Sequence, residues 1–254
     1  MKIMSLNVNR FSGLEERDYT ESITSLGKCP KANEIIAFVK GFLWGNPDGV
    51  VFLQEIPYMR NKVTRRLYDN FKAKLSSGRC KVILPTGGGV SCTLAITQES
   101  STWDKAPCVF VNYYQNKYVC LKNKSGLCIL GIHAPLEGGN NTPEDVQKFF
   151  TGLKEYAEKH RDKKLIILGD MNVHSKMPCP YFATFDTIRT ETEDGGLGYC
   201  DKIPDGKITY FPKGTTLDHV LVSPSLKDSV TAEVKSQSEL ELSDHAVIIV
   251  NIEE

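Results

Sequence analysis

The sequence lacks several features that mark well-defined classes of protein. Its eight cysteines include no Cys-x-x-Cys pair, which argues against a zinc ribbon or a thioredoxin-type redox motif. No apolar run approaches the ~20 residues that a membrane-spanning helix needs. Neither sign of charge is in excess, because 31 basic residues balance 31 acidic ones. That balance argues against a strongly basic coat protein that binds nucleic acid through phosphate neutralisation alone.

Two further absences concern the compartment and the organisation of the chain. Polar residues follow Met1 almost at once, so the sequence shows no apolar core of a secretory signal peptide. We therefore expect a cytoplasmic protein with reduced, mostly buried cysteines. No repeat, low-complexity linker or shift in composition divides the 254 residues. We expect one domain over residues 1–254, acting as a monomer.

Short apolar runs alternate along the chain with amphipathic stretches. Residues 50–53 and 165–168 are continuous apolar runs, which are typical of buried strands. Residues 33–42 and 62–75 have helical spacing, and Thr142 with Pro143 forms a helix start that predicts a helix to about His160. The region between Cys80 and His133 predicts several strands, one of them at residues 109–111. This mixture favours an α/β fold with mixed sheets packed face to face and helices outside.

Polar residues of related chemistry occur at the ends of six of these apolar runs. Taken singly, each is more often a turn residue or part of a wet loop. Together they suit a hard cation and a phosphate, because Mg²⁺ prefers carboxylate oxygens and phosphoryl oxygens accept hydrogen bonds from Asn and His. An attacking water also needs a base. The candidates are Asn7, Glu55, His133, Asp170, Asn172, Asp218, Asp244 and His245.

The order of these motifs resembles the endonuclease/exonuclease/phosphatase superfamily. The matching segments are residues 6–9 (Leu-Asn-Val-Asn), 53–55 (Leu-Gln-Glu), 131–133 (Gly-Ile-His), 168–172 (Leu-Gly-Asp-Met-Asn), 217–220 (Leu-Asp-His-Val) and 242–245 (Leu-Ser-Asp-His). Each segment is short, but together they span nearly the whole chain. The resemblance implies a four-layer α/β sandwich, in which helices flank two mixed, mostly antiparallel β-sheets. It also implies a Mg²⁺ site at the sheet ends, with Mn²⁺ as the alternative ion.

The resemblance further implies a role for each candidate at the metal. Glu55 corresponds to the principal metal carboxylate, and Asp244 to a second acidic contributor to the same site. Asn7 is expected beside them, in contact with metal-bound water or with the phosphate.

The remaining candidates are expected to act on the phosphate and the water. Asn172 is expected to donate to the scissile phosphate, and His133 to protonate the leaving oxygen or stabilise the transition state. His245, paired with Asp218, and Asp170 are both candidates for the general base, and the sequence leaves that choice open. His219 follows Asp218 on a strand and should face away from the site, so we interpret it as structural.

The resemblance implies hydrolysis of phosphodiester bonds by water, and we interpret the chain as a Mg²⁺-dependent nuclease, an endonuclease or exonuclease. Leu6 and Arg10 stand where abasic-site endonucleases of the superfamily commonly have Trp and Gly, and His133 stands where they usually have Tyr. That histidine is closer to the pancreatic deoxyribonuclease branch and the lipid- or inositol-phosphate branches.

A phosphatase or phosphodiesterase for a small molecule or phosphoinositide is the alternative function, and an inactive binding module is the remote alternative. We interpret Arg10 and Lys176 as solvated loop charges rather than phosphate contacts.

Overall fold

A computed structural model of the chain describes residues 1–13, 29, 31–58, 62–110, 114–138, 141–174, 180–189, 196–204 and 206–253. Twelve strands and four α-helices lie within these ranges. The strands are β1 (Lys2–Asn7), β2 (Val50–Pro57), β3 (Cys80–Ile83), β4 (Ser91–Gln98), β5 (Asp104–Lys105), β6 (Tyr118–Lys122), β7 (Cys128–His133), β8 (Leu165–Asp170), β9 (Cys200–Asp201), β10 (Asp218–Val222), β11 (Val230–Val234) and β12 (Ile248–Ile252). The helices are α1 (Ala32–Gly45), α2 (Lys62–Ser76), α3 (Pro143–Lys159) and α4 (Pro180–Arg189).

The strands form two six-stranded sheets. The first sheet has the order β11-β12-β1-β2-β4-β3, and the second has the order β5-β6-β7-β8-β10-β9. The pairs β1–β2 and β7–β8 are parallel, and the other pairs are antiparallel. The expected pair of mixed, mostly antiparallel sheets is therefore confirmed.

Alternating side chains of the strands divide the buried apolar residues into three layers. Between the sheets, Phe52 of the first sheet packs with Ile129 and Leu168 of the second. On the outer face of the first sheet, the apolar sides of α1 and α2 pack on residues such as Leu53, and α3 and α4 cover the outer face of the second sheet in the same way. Full burial of such an aliphatic or aromatic side chain contributes roughly 1.5–3 kcal/mol. The result is the four-layer sandwich expected from the sequence.

Close packing between the sheets explains one glycine of the Gly-Ile-His motif. A Cβ atom on Gly131 would lie 2.0 Å from Cδ1 of Phe52 on the opposite sheet. No side chain fits there, so Gly131 lets the two sheets approach each other beside the end of β7. The distance between the sheets matters for function, because the candidate site residues come from both.

Of three further details, one differs from the sequence expectations and one agrees with them, and the third concerns the length and character of the helices. Val109 and Phe110 are not in a strand, and residue 111 of that predicted strand lies outside the described ranges. Helix α3 is capped as expected, because Thr142 Oγ1 accepts a hydrogen bond from the backbone N–H of Asp145 at 3.2 Å. Within the described part of the chain, no helix combines the length and the apolar character needed to cross a membrane.

Candidate active site

The candidate residues meet at one edge of the sandwich because of how the strands pair. Asn7 ends β1 and Glu55 lies near the end of the parallel neighbour β2, while His133 ends β7 and Asp170 ends the parallel neighbour β8. Parallel strands place their carboxyl ends at the same edge. Asp218 begins the antiparallel strand β10 directly opposite Asp170, so it reaches the same edge from the other direction.

At this edge several residues have a positive φ, a backbone conformation that residues other than glycine rarely adopt. Glu55 has φ +56° at an irregularity in the pairing of β2 with β4, and Asn172 has φ +52°. Gly169 has φ +129°, and a Cβ on it would lie 2.1 Å from the carbonyl oxygen of Ile132. These conformations cost of order 1–3 kcal/mol each for non-glycine residues and concentrate at functional sites. The positive φ of Glu55 takes this residue out of regular strand geometry, whereas Asp170 keeps its pairing with His133 and Asp218.

Asp170 is the centre of the hydrogen-bond network. Its Oδ2 accepts from the side-chain amide of Asn7 at 2.9 Å, and its Oδ1 accepts from the backbone N–H of Asn172 at 2.9 Å. The amide nitrogen of Asn7 also lies 3.5 Å from Oε1 of Glu55. The amide oxygen of Asn7 accepts from the backbone N–H of Asn9 at 3.0 Å. Asn7 therefore turns its nitrogen toward the carboxylates and its oxygen toward the following turn.

His245 forms a pair with Asp218, as the sequence indicated. Its Nδ1 lies 2.8 Å from Oδ2 of Asp218, and its Nε2 lies 3.8 Å from Oδ2 of Asp170. Thr209 Oγ1 accepts from the backbone N–H of Asp218 at 2.9 Å and so holds the start of β10. Burial alone would lower the pKa of His245, but Asp218, Asp170 and Asp244 together raise it to about 10. His245 is therefore an imidazolium at neutral pH.

His133 has the opposite environment. Its Nδ1 lies 3.0 Å from the ammonium nitrogen of Lys117, and its Nε2 lies 3.5 Å from Oε1 of Glu55 and 3.8 Å from Oδ2 of Asp170. Burial first, and then the positive charges of Lys117, His245 and Arg10, hold the pKa of His133 well below its ordinary value. His133 is therefore neutral, although it faces the same carboxylates.

Asp170 also differs from an ordinary aspartate. Burial raises its pKa and the neighbouring Asp218 raises it further, while His245 and the hydrogen bonds from Asn7 and Asn172 act in the other direction. The pKa of this carboxyl group lies above its ordinary range. Such a carboxylate is a better proton acceptor than a free aspartate.

An open cavity of about 480 Å³ lies beside the carboxylates of the site. Glu55 and Asp244 both line it, and burial together with the charge of Glu55 raises the pKa of Asp244 despite opposing effects of His245 and Ser243. Oxygens of this kind are the donors that Mg²⁺ prefers. A second group, Asp170, Asp218 and His245, has ligand atoms within 4.8 Å of one another. Both carboxylate oxygens of Asp170, Oδ2 of Asp218 and Nδ1 of His245 in that group take part in the hydrogen bonds described above.

The cavity brings in residues that the sequence interpretation did not assign to the site. Arg10 was interpreted as a solvated charge, yet its Nε lies 3.4 Å from Oε2 of Glu55. Tyr210 packs its ring on His245 with centroids 4.9 Å apart. His174 and Lys213 also line the cavity. Lys176 lies outside the described residues.

The expectation that His219 is structural agrees with its position. It faces the outer side of the second sheet, where its Nδ1 lies 2.6 Å from Oδ2 of Asp201 and its ring packs on Phe185. Burial lowers its pKa, but the charge and hydrogen bond of Asp201 raise it more, so the net shift is upward. The side chains of the adjacent residues Asp218 and His219 thus lie on opposite faces of β10.

With this geometry in place, comparison with known proteins assigns the family. Residues 4–245 match the model of the Endonuclease/Exonuclease/phosphatase family, and the chain belongs to that family. Members of this family are enzymes that hydrolyse phosphoester bonds. No protein among the curated sequences compared with the chain matches it significantly.

Solved structures similar to this chain share its fold at low sequence identity. A 3'-5' exonuclease, NExo, from Neisseria meningitidis is 19% identical, with 100% of each chain covered and a TM-score of 0.66. An AP endonuclease from Archaeoglobus fulgidus is 17% identical, with 100% of each chain covered and a TM-score of 0.62. TDP2 from D. rerio, complexed with a single-stranded DNA product, is 18% identical, with 100% of this chain and 99% of that chain covered and a TM-score of 0.62.

Proposed function

We propose that this protein is a Mg²⁺-dependent nuclease that hydrolyses phosphodiester bonds by attack of water. The observation that carries the proposal is the convergence of Glu55, Asp170 and Asp244 on one open cavity, with His133 and His245 on either side of Asp170. Carboxylates suit a hard cation, and imidazole N–H groups suit phosphoryl oxygens. A cavity that combines both is suited to a phosphate ester together with its metal ion.

The residues that fit the metal ion are Glu55 and Asp244. Both carry oxygens that face the cavity, and Asp244 is held by a hydrogen bond from Ser243 Oγ to its Oδ1 at 3.1 Å. Asn7 completes the expected group, since its amide lies beside Glu55. A bound Mg²⁺ supplies positive charge that neutralises the phosphate in the transition state. Mn²⁺ suits the same oxygen donors.

We assign water activation to Asp170 and phosphate stabilisation to His245. Nδ1 of His245 donates to Asp218, and Nε2 faces a second carboxylate, so both ring nitrogens favour a bound proton. A fully protonated imidazole cannot accept a proton, but it can donate to a phosphoryl oxygen. Asp170 accepts hydrogen bonds from Asn7 and Asn172 and still lines the cavity, where it can orient a water.

Asn172 and His133 act as neutral donors in this scheme. One N–H of the Asn172 amide donates to the carbonyl of Ala134 at 2.7 Å, which fixes the side chain and leaves the second N–H for the scissile phosphate. His133 is neutral at neutral pH and carries one N–H group. It therefore stabilises the phosphate by hydrogen bonding rather than by protonating the leaving oxygen.

Nucleic acid is the substrate class that we favour. The cavity is lined by the cations Arg10 and Lys213 and by the aromatic ring of Tyr210, which suit a phosphate backbone and a base. Two similar structures, one of TDP2 and one of NExo as a 3' phosphatase, contain DNA products by their descriptions. A small phosphate ester would use the metal and Asp170 but would not need this wider wall.

The experiment is a substrate panel with Mg²⁺, Mn²⁺ or EDTA at neutral pH. It includes plasmid DNA, single-stranded DNA, RNA, an abasic-site duplex, bis-p-nitrophenyl phosphate and inositol phosphates. Glu55→Gln tests the metal site, and Glu99→Gln is the matched control, because Glu99 is an exposed carboxylate just beyond the far end of β4. Metal-dependent cleavage of a nucleic acid that disappears only in Glu55→Gln supports the proposal.

Two other outcomes contradict the proposal. Cleavage of only the small esters would replace nuclease with small-molecule phosphatase or phosphodiesterase. No cleavage of any substrate by the folded protein would favour a binding module of the same fold.

A further inference from the structure

A lysine outside the recognised motifs lies directly beside the active site. Tyr118 on β6 pairs with Ile132 on β7, so the next antiparallel positions along are Lys117 and His133. The backbone N–H of His133 donates to the carbonyl of Lys117 at 2.8 Å. Thr93 Oγ1, from the first sheet, donates to the same carbonyl at 3.0 Å. Both sheets therefore fix the position of Lys117.

The side chain of Lys117 determines which nitrogen of His133 carries the proton. Its Nζ lies 3.0 Å from Nδ1 of His133. An ammonium group has donors but no acceptor, so Nδ1 of a histidine beside it must be the acceptor. The neutral ring then carries its proton on Nε2, the nitrogen that faces Glu55 and Asp170 at 3.5 and 3.8 Å. Those carboxylates are acceptors, so the contacts of both ring nitrogens are consistent with the Nε2–H tautomer.

The other two buried histidines show that this arrangement is specific to His133. Nδ1 of His245 lies 2.8 Å from Asp218, and Nδ1 of His219 lies 2.6 Å from Asp201. In both cases a carboxylate oxygen accepts a hydrogen bond from a protonated Nδ1. At His133 the same nitrogen meets a cation, so the ring has the opposite hydrogen-bond polarity.

We propose that Lys117 is a positioning residue that fixes His133 as the Nε2–H tautomer and so makes it a hydrogen-bond donor toward the scissile phosphate. The tautomer follows from the contacts of the protein alone, whereas the use of the Nε2–H group rests on the proposed function. The position of a half-buried lysine beside a histidine then has a reason, because its charge keeps a proton off Nδ1. The negative charges of Glu55 and Asp170 favour the ammonium form, against the burial that lowers the pKa of Lys117.

The direct test is ¹⁵N NMR of the protein labelled on its histidines, with the His133 signals identified by their loss in His133→Gln. The wild-type protein should show His133 with an unprotonated Nδ1 and a protonated Nε2. Lys117→Met keeps the length of the side chain but removes the donor, so the tautomer should become mixed. Lys117→Arg retains a donor and a positive charge and should keep the wild-type pattern. Lys122→Met is the matched control, because Lys122 is an exposed lysine at the far end of β6, the strand that follows Lys117.

Activity provides a second readout. In Lys117→Met, kcat should fall by about 10- to 100-fold, the usual range for residues that orient groups of a site. KM should change little, because Lys117 acts through His133 rather than on the substrate. Lys117→Arg should recover much of the loss, and Lys122→Met should behave as wild type.

Several results would overturn the proposal. One is a wild-type His133 that is protonated on Nδ1, and another is an unchanged tautomer in folded Lys117→Met, which would leave Lys117 a purely structural role. If Lys117→Met does not fold, the wild-type and Lys117→Arg spectra decide, because both must show the Nε2–H form. The spectra need no substrate, so an inactive protein with the expected tautomer would contradict the proposed function alone.

Discussion

Two histidines lie on either side of Asp170, and each has its Nε2 3.8 Å from the same oxygen, Oδ2. Their distance to this carboxylate is equal and both rings are buried, yet their charge states differ. The pKa of His245 is raised to about 10, whereas that of His133 lies well below the ordinary value. The difference arises at the other nitrogen, which faces Asp218 in one case and Lys117 in the other.

The comparison shows that burial alone does not decide the charge of a histidine in this site. Burial lowers the pKa of both rings, and the partner at Nδ1 either reverses that effect or reinforces it. One side of Asp170 thus has a cation and the other a neutral imidazole. The positive charge lies beside Asp218, which stabilises it, and under the proposed function Asp170 is the group that accepts the proton.

The largest effect is expected when the charged side of the comparison is removed. His245→Ala should lower kcat by about 10²- to 10⁴-fold, the range for groups that act at the reacting centre. Circular dichroism should show a folded protein, and His160→Ala should retain wild-type kcat, because His160 lies beyond the end of α3, outside the site. A fully active His245→Ala would show that the pair with Asp218 has no catalytic role.

A smaller effect is expected when the ring stays and only its partner changes. Asp218→Asn removes the negative charge 2.8 Å from Nδ1 of His245. The pKa of His245 should fall toward its ordinary value, and kcat should fall by about 10- to 100-fold. A histidine titration by NMR and steady-state kinetics measure the two effects. An unchanged pKa of His245 in this variant would mean that its partner does not set its charge.

A third histidine extends the comparison to a position outside the site. His219→Gln removes the contact with Asp201, and we expect activity to remain while the free energy of unfolding falls by about 1.5–3 kcal/mol. The pKa of His219 is raised in the folded protein. Its charge therefore contributes most below the unfolded pKa of about 6.5, and this contribution is lost as pH rises through the folded pKa.

Urea denaturation of wild type and His219→Gln, at acidic and at alkaline pH, measures this effect. The difference between the two proteins should be larger at acidic pH. A difference that grows as pH rises would mean that His219 is neutral in the folded protein.

The smallest effect is expected far from all three histidines. Thr142→Ala removes the side-chain cap of α3, which should lower the free energy of unfolding by about 1 kcal/mol. No pKa or kinetic constant of the site should change. A change in kcat larger than that of Lys122→Met would show that helix α3 is coupled to the site.

The sequence predicted those elements of the fold that carry a strong pattern. The apolar run at β2 and the cap at Thr142 each indicated its element directly. The two-residue strands β5 and β9 escaped notice, because Asp104-Lys105 and Cys200-Asp201 have no apolar period. Strand β11 was not predicted either, because it contains only two valines and lies partly exposed at the edge of its sheet. Helix α4, which begins directly after residues outside the described ranges, was also not predicted.

For the candidate site, the motifs indicated eight residues but not the neighbours of these residues. The eight candidates do converge at one edge, as the strand ends indicated. Lys117 carries no motif and becomes visible only through the register that pairs β6 with β7. Arg10 reaches Glu55 because residues 9–11 turn with positive φ, a conformation that the sequence does not predict. Contacts of this kind depend on register and local backbone, which a single sequence does not specify.

The most direct measurement is single-turnover cleavage of an oligonucleotide in ¹⁸O-labelled water with Mg²⁺. If Glu55 holds the metal ion and water attacks phosphorus, the product phosphate should contain one solvent oxygen. No cleavage should occur in EDTA or with Glu55→Gln. Product phosphate without solvent oxygen, or cleavage that persists in Glu55→Gln, would contradict metal-dependent attack of water on phosphorus at this site.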